Sequence, residues 1–179
     1  DRIEAGTFAI AALITGGDLT LTRTKPRHLD SLLEILKDTG AAITVEGDSI
    51  RVTSNGAVKA ADITTDPYPG FPTDLQAQFM ALMCLAEGPS RISETVFENR
   101  FMHVPELIRM GADIRVDGGV AMIKGRKSLT PAPVMATDLR ASVSLVLAAL
   151  ATEGTSEVSR IYHLDRGYSD LETKLGSCG

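Results

Sequence analysis

Three stretches of the chain are apolar on every side at helical spacing, and each runs through a glycine into alternating apolar and polar residues. They are RIEAGTFAIAALITGGDLTLTR from Arg2, DLQAQFMALMCLAEGPSRISETV from Asp74 and DLRASVSLVLAALATEGTSEVSRI from Asp138. A helix without a polar face has to be enclosed, whereas an alternating strand leaves one face of its sheet wet. The pattern therefore predicts helices inside and sheets outside. Ala5, Gly6, Ala77 and Ala141 let the inner helices approach closely. The stopping glycines Gly17, Gly88 and Gly154 stand 71 and 66 residues apart, which gives a repeat of about 70 residues. Each strand leads to a loop carrying an arginine (Arg27, Arg100, Arg166). A second helix then follows: HLDSLLEILKDTG from His28, VPELIRMG from Val104, SDLETKL from Ser169. After the first two of these come strand pairs, AAITVEGDSIRVT and ADIRVDGGVAMIKG, with tight turns at Gly47-Asp48 and Gly118-Gly119. The predicted unit is strand, helix, strand, helix, strand, strand in some circular order, with units near 1–60, 61–125 and 126–179.

The repeat is unfinished at both ends. The chain begins at Asp1, directly before a helix, and the third unit stops at KLGSCG where its closing strand pair should follow. The expectation is one domain cut from a larger polypeptide, with a second domain absent. Composition narrows the function classes: 44% hydrophobic and 23% charged residues are globular proportions. A net charge of -5 with no Lys/Arg run argues against a nucleic-acid partner. No apolar stretch has the length of a membrane span and no signal pattern opens the chain, so the expected setting is cytoplasmic, without a membrane partner. Cys84 lies inside LMCLA as a small core residue and Cys178 near the end, so neither a metal site nor a disulfide framework is expected.

Candidate chemistry centres on a triplet that occurs twice, TDLQAQ at Thr73 and TDLRAS at Thr137, each ahead of an inner helix. In the first, Thr73 and Gln76 form the pattern of a capping box, as do Asp1 and Glu4. Asp74 and Asp138 would then gain from the helix dipole at the first helical position. The second copy breaks the pattern. Arg140 stands where Glu or Gln belongs, and a cation at a helix start is locally unfavourable, which points to a use for Asp138 and Arg140 outside the helix. The entry to Asp74, DPYPGFPTD, is stiffened by three prolines. Arg100 in ENRF and Arg166 in LDRGY follow equivalent strands. Two carboxylates and three arginines on equivalent rims suit an anionic ligand with an acid or base at hand. Met102 and His103 are expected to pack.

Across Asp1 to about Leu175, the blocks DRIEAGTF, FPTDLQAQ, ETVFENRFMHVPELIRMGA, ATDLRAS and RIYHLDRGY resemble the UDP-N-acetylglucosamine enolpyruvyl transferases (1-carboxyvinyltransferases). The resemblance implies an inside-out α/β barrel of βαβαββ units, two such domains per enzyme, with this chain as most of one. It also implies transfer of the enolpyruvyl group of phosphoenolpyruvate, a co-substrate, to the 3-hydroxyl of UDP-N-acetylglucosamine, the first committed step of bacterial peptidoglycan synthesis. No further cofactor and no metal are implied. By the same resemblance Asp74 and Asp138 are catalytic, Asp74 contacting the sugar hydroxyl. Val96 contacts the UDP-sugar through its backbone, and Arg166 holds phosphoenolpyruvate. Arg100 and Arg140 are charged cleft residues, and Asp1 and Arg2 are a pair at the cleft edge. The family's mobile loop with its proton donor, and a further phosphoenolpyruvate-binding lysine, belong to the absent domain, so the chain alone is expected to be inactive. A 3-phosphoshikimate enolpyruvyl transferase, or a non-catalytic scaffold with the same barrel, are the alternatives.

Overall fold

A computed structural model describes residues 1–178. The first inner helix, α1 (Arg2–Ile14), begins at Asp1, whose carboxylate caps it by accepting from the amides of Ile3 at 2.6 Å and Glu4 at 3.4 Å. Its residues from Gly6 to Ile14 are buried. It is followed by β1 (Asp18–Leu21), a 3-10 turn at Pro26–Leu29, and α2 (Asp30–Asp38). Helix α2 buries only Leu32, Leu33 and Leu36, as a one-sided helix on the outside should. The strands β2 (Ala42–Glu46) and β3 (Ser49–Thr53) close the unit as a hairpin. Gly47 at φ +60 supplies the left-handed residue that this two-residue turn needs.

The second unit is complete. It runs β4 (Ile63–Thr64), a 3-10 turn (Thr73–Leu75), α3 (Gln76–Met83), β5 (Pro89–Ser93), α4 (Val104–Arg109), β6 (Asp113–Asp117) and β7 (Val120–Lys124). Its sheet has the order β4-β5-β7-β6, with β4 and β5 parallel and α3 as the crossover between them. All eight residues of α3 are buried. The third unit repeats the parallel pair in β8 (Pro133–Met135) and β9 (Glu157–Ser159), joined through α5 (Ser142–Leu150). The short helices α6 (Tyr162–Asp165) and α7 (Leu171–Gly176) follow.

The inner helices α1, α3 and α5 pack against one another. Their side chains join those of α2 and the sheets in one large core, in which Phe71 and Phe79 meet edge to face at 5.6 Å. Helix α5 is less enclosed than expected, because Leu150 at its end is exposed. The sheets are three separate ones of three, four and two strands, and among the described residues they do not join into a closed barrel.

Several local expectations are corrected. Thr73 and Gln76 form no capping box: the Thr73 hydroxyl donates to Glu94, 21 residues on, and the Gln76 carboxamide is buried without a hydrogen-bond partner among the described residues. Glu4 does not reach back to its own helix start either, but pairs with Lys174 at 2.5 Å. In the first unit the left-handed stop is Gly16 rather than Gly17. The Arg166 loop begins with α6, a helix of four residues that is too short to show a period.

Candidate active site

The charged residues that the sequence singles out leave the C-terminal ends of the two parallel strand pairs. β4 leads to Asp74 and β5 to Val96 and Arg100; β8 leads to Asp138 and Arg140, and β9 to Arg166. In open α/β sheets this end of the strands is where ligands gather, because loops there are free to carry function while the sheet fixes their roots. Gly6 of α1 lets the Asp74 turn lie close: a Cβ there would sit 2.6 Å from Leu75 Cδ1.

Asp74 and Arg100 form an ion pair at 2.6 Å. Among the described residues no backbone amide engages the Asp74 carboxylate, so it is not a helix cap. Arg100 also lies over the exposed ring of Phe97, 4.9 Å from its centroid. The segment bearing Val96 and Phe97 is anchored by Glu94, which the sequence reading passed over. The residue is 7% exposed. Oε1 accepts from the Val96 amide at 2.9 Å, the Phe97 amide at 3.1 Å and the Thr65 hydroxyl at 2.9 Å, while Oε2 accepts from the Thr73 hydroxyl at 2.8 Å. One signal was available: Ser90, Ile92 and Glu94 share the inward parity of β5, and an acid at an inward position needs partners.

Asp138, the twin of Asp74, is engaged differently. Its Oδ1 accepts from the amides of Arg140 at 2.6 Å and Ala141 at 2.9 Å. Burial alone would raise this carboxyl, but those amides and the nearby Arg100 and His103 carry it below the usual aspartate value. Asp138 therefore does cap its turn. The Arg140 side chain turns away from the helix. It reaches Asp1 Oδ2 at 3.4 Å, donates to the Gly167 carbonyl at 3.3 Å and lies over the Tyr168 ring at 5.6 Å. Tyr168 is itself buried and belongs to a polar cluster that ties the rims together. Its hydroxyl meets Thr7 at 2.9 Å and accepts from Gln78 Nε2 at 3.1 Å, and the same Nε2 donates to the Asp74 carbonyl at 2.9 Å. Of the two residues expected to pack, Met102 is exposed and His103 is buried, yet neither ring nitrogen of His103 has a partner among the described residues.

The structure does not bring every candidate together. Arg2 lies over the Tyr68 ring at 5.3 Å, beside the proline-rich entry. Arg166 is exposed, with no side-chain partner among the described residues. A groove of about 770 Å³ along the free edge of β1 takes in Asp1 and Arg2 but none of Asp74, Arg100, Asp138 or Arg166. Among the described residues no cluster of His, Cys, Asp and Glu is suited to a metal ion, and no helix is long and apolar enough to cross a membrane.

Known proteins match the whole chain. A protein of Methylorubrum populi named UDP-N-acetylglucosamine 1-carboxyvinyltransferase is 62% identical over all of this chain and 42% of its own length. One of the same name from Geobacter metallireducens is 59% identical over all of this chain and 43% of its own. The chain thus spans less than half the length of these relatives. Among solved structures, the enolpyruvyl transferase NikO from Streptomyces tendae superposes with a TM-score of 0.91 at 31% identity, over all of this chain and 43% of NikO. An EPSP synthase from Acinetobacter baumannii, at 21% identity and a TM-score of 0.76 over all of this chain and 46% of its own, shares the fold. The model of the EPSP synthase (3-phosphoshikimate 1-carboxyvinyltransferase) family matches residues 1–175, and the chain belongs to that family of carboxyvinyl transferases.

Proposed function

We propose that the intact protein containing this chain transfers the enolpyruvyl group of phosphoenolpyruvate to the 3-hydroxyl of UDP-N-acetylglucosamine and releases phosphate, serving bacterial peptidoglycan synthesis in the cytoplasm. The observation that carries this reading is the difference between the twin aspartates. The Asp138 carboxylate is held by two amides, whereas the Asp74 carboxylate stands at the rim paired with Arg100 and, among the described residues, engaged by no backbone amide. Relatives named for this reaction, about 60% identical along the full chain, support it.

In this reading the hydroxyl oxygen attacks carbon 2 of phosphoenolpyruvate while Asp74 accepts the hydroxyl proton and carbon 3 is protonated from the other domain. Loss of a proton from carbon 3 then expels phosphate and restores the double bond. Asp138, kept ionised, orients Arg140 through its backbone, and Arg100 and Arg140 balance the charge of the phosphate and carboxylate groups. Val96 offers its backbone to the UDP-sugar, Arg166 grips phosphoenolpyruvate, and Asp1 and Arg2 form the cleft edge. The chemistry is acid–base and asks for no cofactor beyond the co-substrate. We read the three packed helices as the inside of an inside-out barrel of βαβαββ units, forming one of two domains that close over the substrate.

The test is phosphate release by the intact protein, with the product identified by mass. With UDP-N-acetylglucosamine as acceptor, Asp74→Asn is expected to lower turnover roughly 100-fold to 10,000-fold, the range of general acid–base catalysis. This chain by itself should give none, because half a cleft neither encloses the reactants nor excludes water. Reaction with shikimate 3-phosphate instead would support the phosphoshikimate reading. Silence with both acceptors would leave a scaffold.

A further inference from the structure

The second and third units contain the same crossover of parallel strands and can be compared position by position. Thr64 of β4 pairs with Ser93 of β5, and Met135 of β8 pairs with Ser159 of β9. One step further along, the Thr65 amide donates to the Ser93 carbonyl at 2.9 Å and the Ala136 amide to the Ser159 carbonyl at 2.9 Å. Thr65 therefore corresponds to Ala136, and Glu94 to Arg160. The third unit has neither the carboxylate nor the hydroxyl that answers it. Thr137, which corresponds to Thr73, accordingly keeps a buried hydroxyl with no partner among the described residues.

The crossover thus forms without the Glu94 cluster, so chain topology does not require that cluster. A carboxylate taken out of water is costly unless its lone pairs are matched. Glu94 meets that condition with four donors from three segments: the 65 loop, the Asp74 turn and its own loop. A second bridge runs beside it, where the Thr95 amide donates to the Thr65 hydroxyl at 3.0 Å and the Thr95 hydroxyl to the Thr65 carbonyl at 2.5 Å. The two oxygens of Glu94 face different parts of the site. Oε1 fixes the backbone of Val96 and Phe97, and through Phe97 the platform under Arg100. Oε2 fixes Thr73, the residue before Asp74.

We propose that Glu94 is a positioning residue for the reaction assigned above, setting the substrate-contacting backbone of the Val96 loop and the Asp74 carboxylate in one register. The role rests on that functional reading. It divides by oxygen: the Oε1 contacts govern binding of the nucleotide sugar, and the Oε2 contact governs the placement of the base.

The experiment uses the intact protein, with steady-state kinetics in both substrates and amide exchange over residues 94–100. Glu94→Ala should speed exchange of the Val96 and Phe97 amides, raise KM for the nucleotide sugar about tenfold or more, and lower kcat; a displacement of about 1 Å at a reacting group can cost about 100-fold. Glu94→Gln should recover most of both. Its carbonyl oxygen still accepts from the amides and from Thr65, and the Thr73 hydroxyl can rotate to accept from the new NH2. Thr73→Val should lower kcat about tenfold with KM near wild type. A merely structural Glu94 would lower the melting temperature without this split and without rescue by glutamine. Kinetics within twofold of wild type in Glu94→Ala, or in Thr73→Val should the alanine variant not fold, overturn the role alone. Absence of transfer by the wild-type protein overturns the functional reading and this role with it.

Discussion

Thr73 and Thr137 begin identical triplets and end in different surroundings, so one substitution at both should have different outcomes. Thr73 donates to a buried carboxylate, and a hydrogen bond to a charged group contributes roughly 2 kcal/mol. Thr73→Val should therefore cost about that much in denaturant melts. The Thr137 hydroxyl is buried with nothing to bond, so Thr137→Val should be neutral or stabilising. Equal losses at both positions would show that the two environments do not differ as described. His103 gives a residue-scale prediction in pH. Burial pushes its imidazole down to about 4, outweighing the pull of Asp138 upward, while Arg100 adds to the depression. The unfolded chain takes up this proton near 6.5, the folded chain only near 4. Stability from this group is thus intact above pH 6.5 and declines as pH falls from there to about 4, by at most about 1.4 kcal/mol per pH unit. His103→Gln should flatten that part of the melting-temperature profile, and an unchanged slope would count against a neutral buried imidazole.

At the scale of elements, the inner helices and hairpins were legible because their periods of 3.6 and 2 run long enough to be counted. The strands β4 and β8 and the helix α6 span two to four residues, too few for any period. The capping box failed for a different reason. Its threonine found a better acceptor 21 residues away, which local spacing does not reveal. Within the site, Arg140 announced itself by occupying the wrong end of a helix, and it does turn outward to Asp1. Glu94, set in an ordinary alternation, and Tyr168, a single aromatic after a glycine, carried no comparable mark. One close approach between elements is directly testable. Gly125 ends β7 against the turn after α3, where a Cβ would lie 1.8 Å from the Ala86 carbonyl oxygen. Gly125→Ala should destabilise by about 3 kcal/mol or more, at the upper end of overpacking effects, because the obstacle is backbone and has no rotamer to change. A loss below about 1 kcal/mol would mean the hairpin shifts freely.

At the scale of the molecule, the first and third units are joined by contacts between residues far apart in sequence. Asp1 meets Arg140, Thr7 meets Tyr168 and Glu4 meets Lys174, at sequence separations of 139, 161 and 170 residues. The contacts of the Glu94 cluster span only 2 to 29. This contrast implies an order of events. Each crossover can close on itself early, since the entropy lost in closing a loop grows with its length and short loops close first. The seam between α1 and the Tyr168 loop pays for the longest closure and should form last, after the transition state. Tyr168→Phe removes the hydroxyl from that seam and leaves the ring beneath Arg140. Its cost of about 1 kcal/mol should then appear almost wholly as unfolding that is about fivefold faster, with the folding limb of the chevron unmoved. If the folding limb slows instead, the seam is part of the nucleus, and the first and third units join before each is complete.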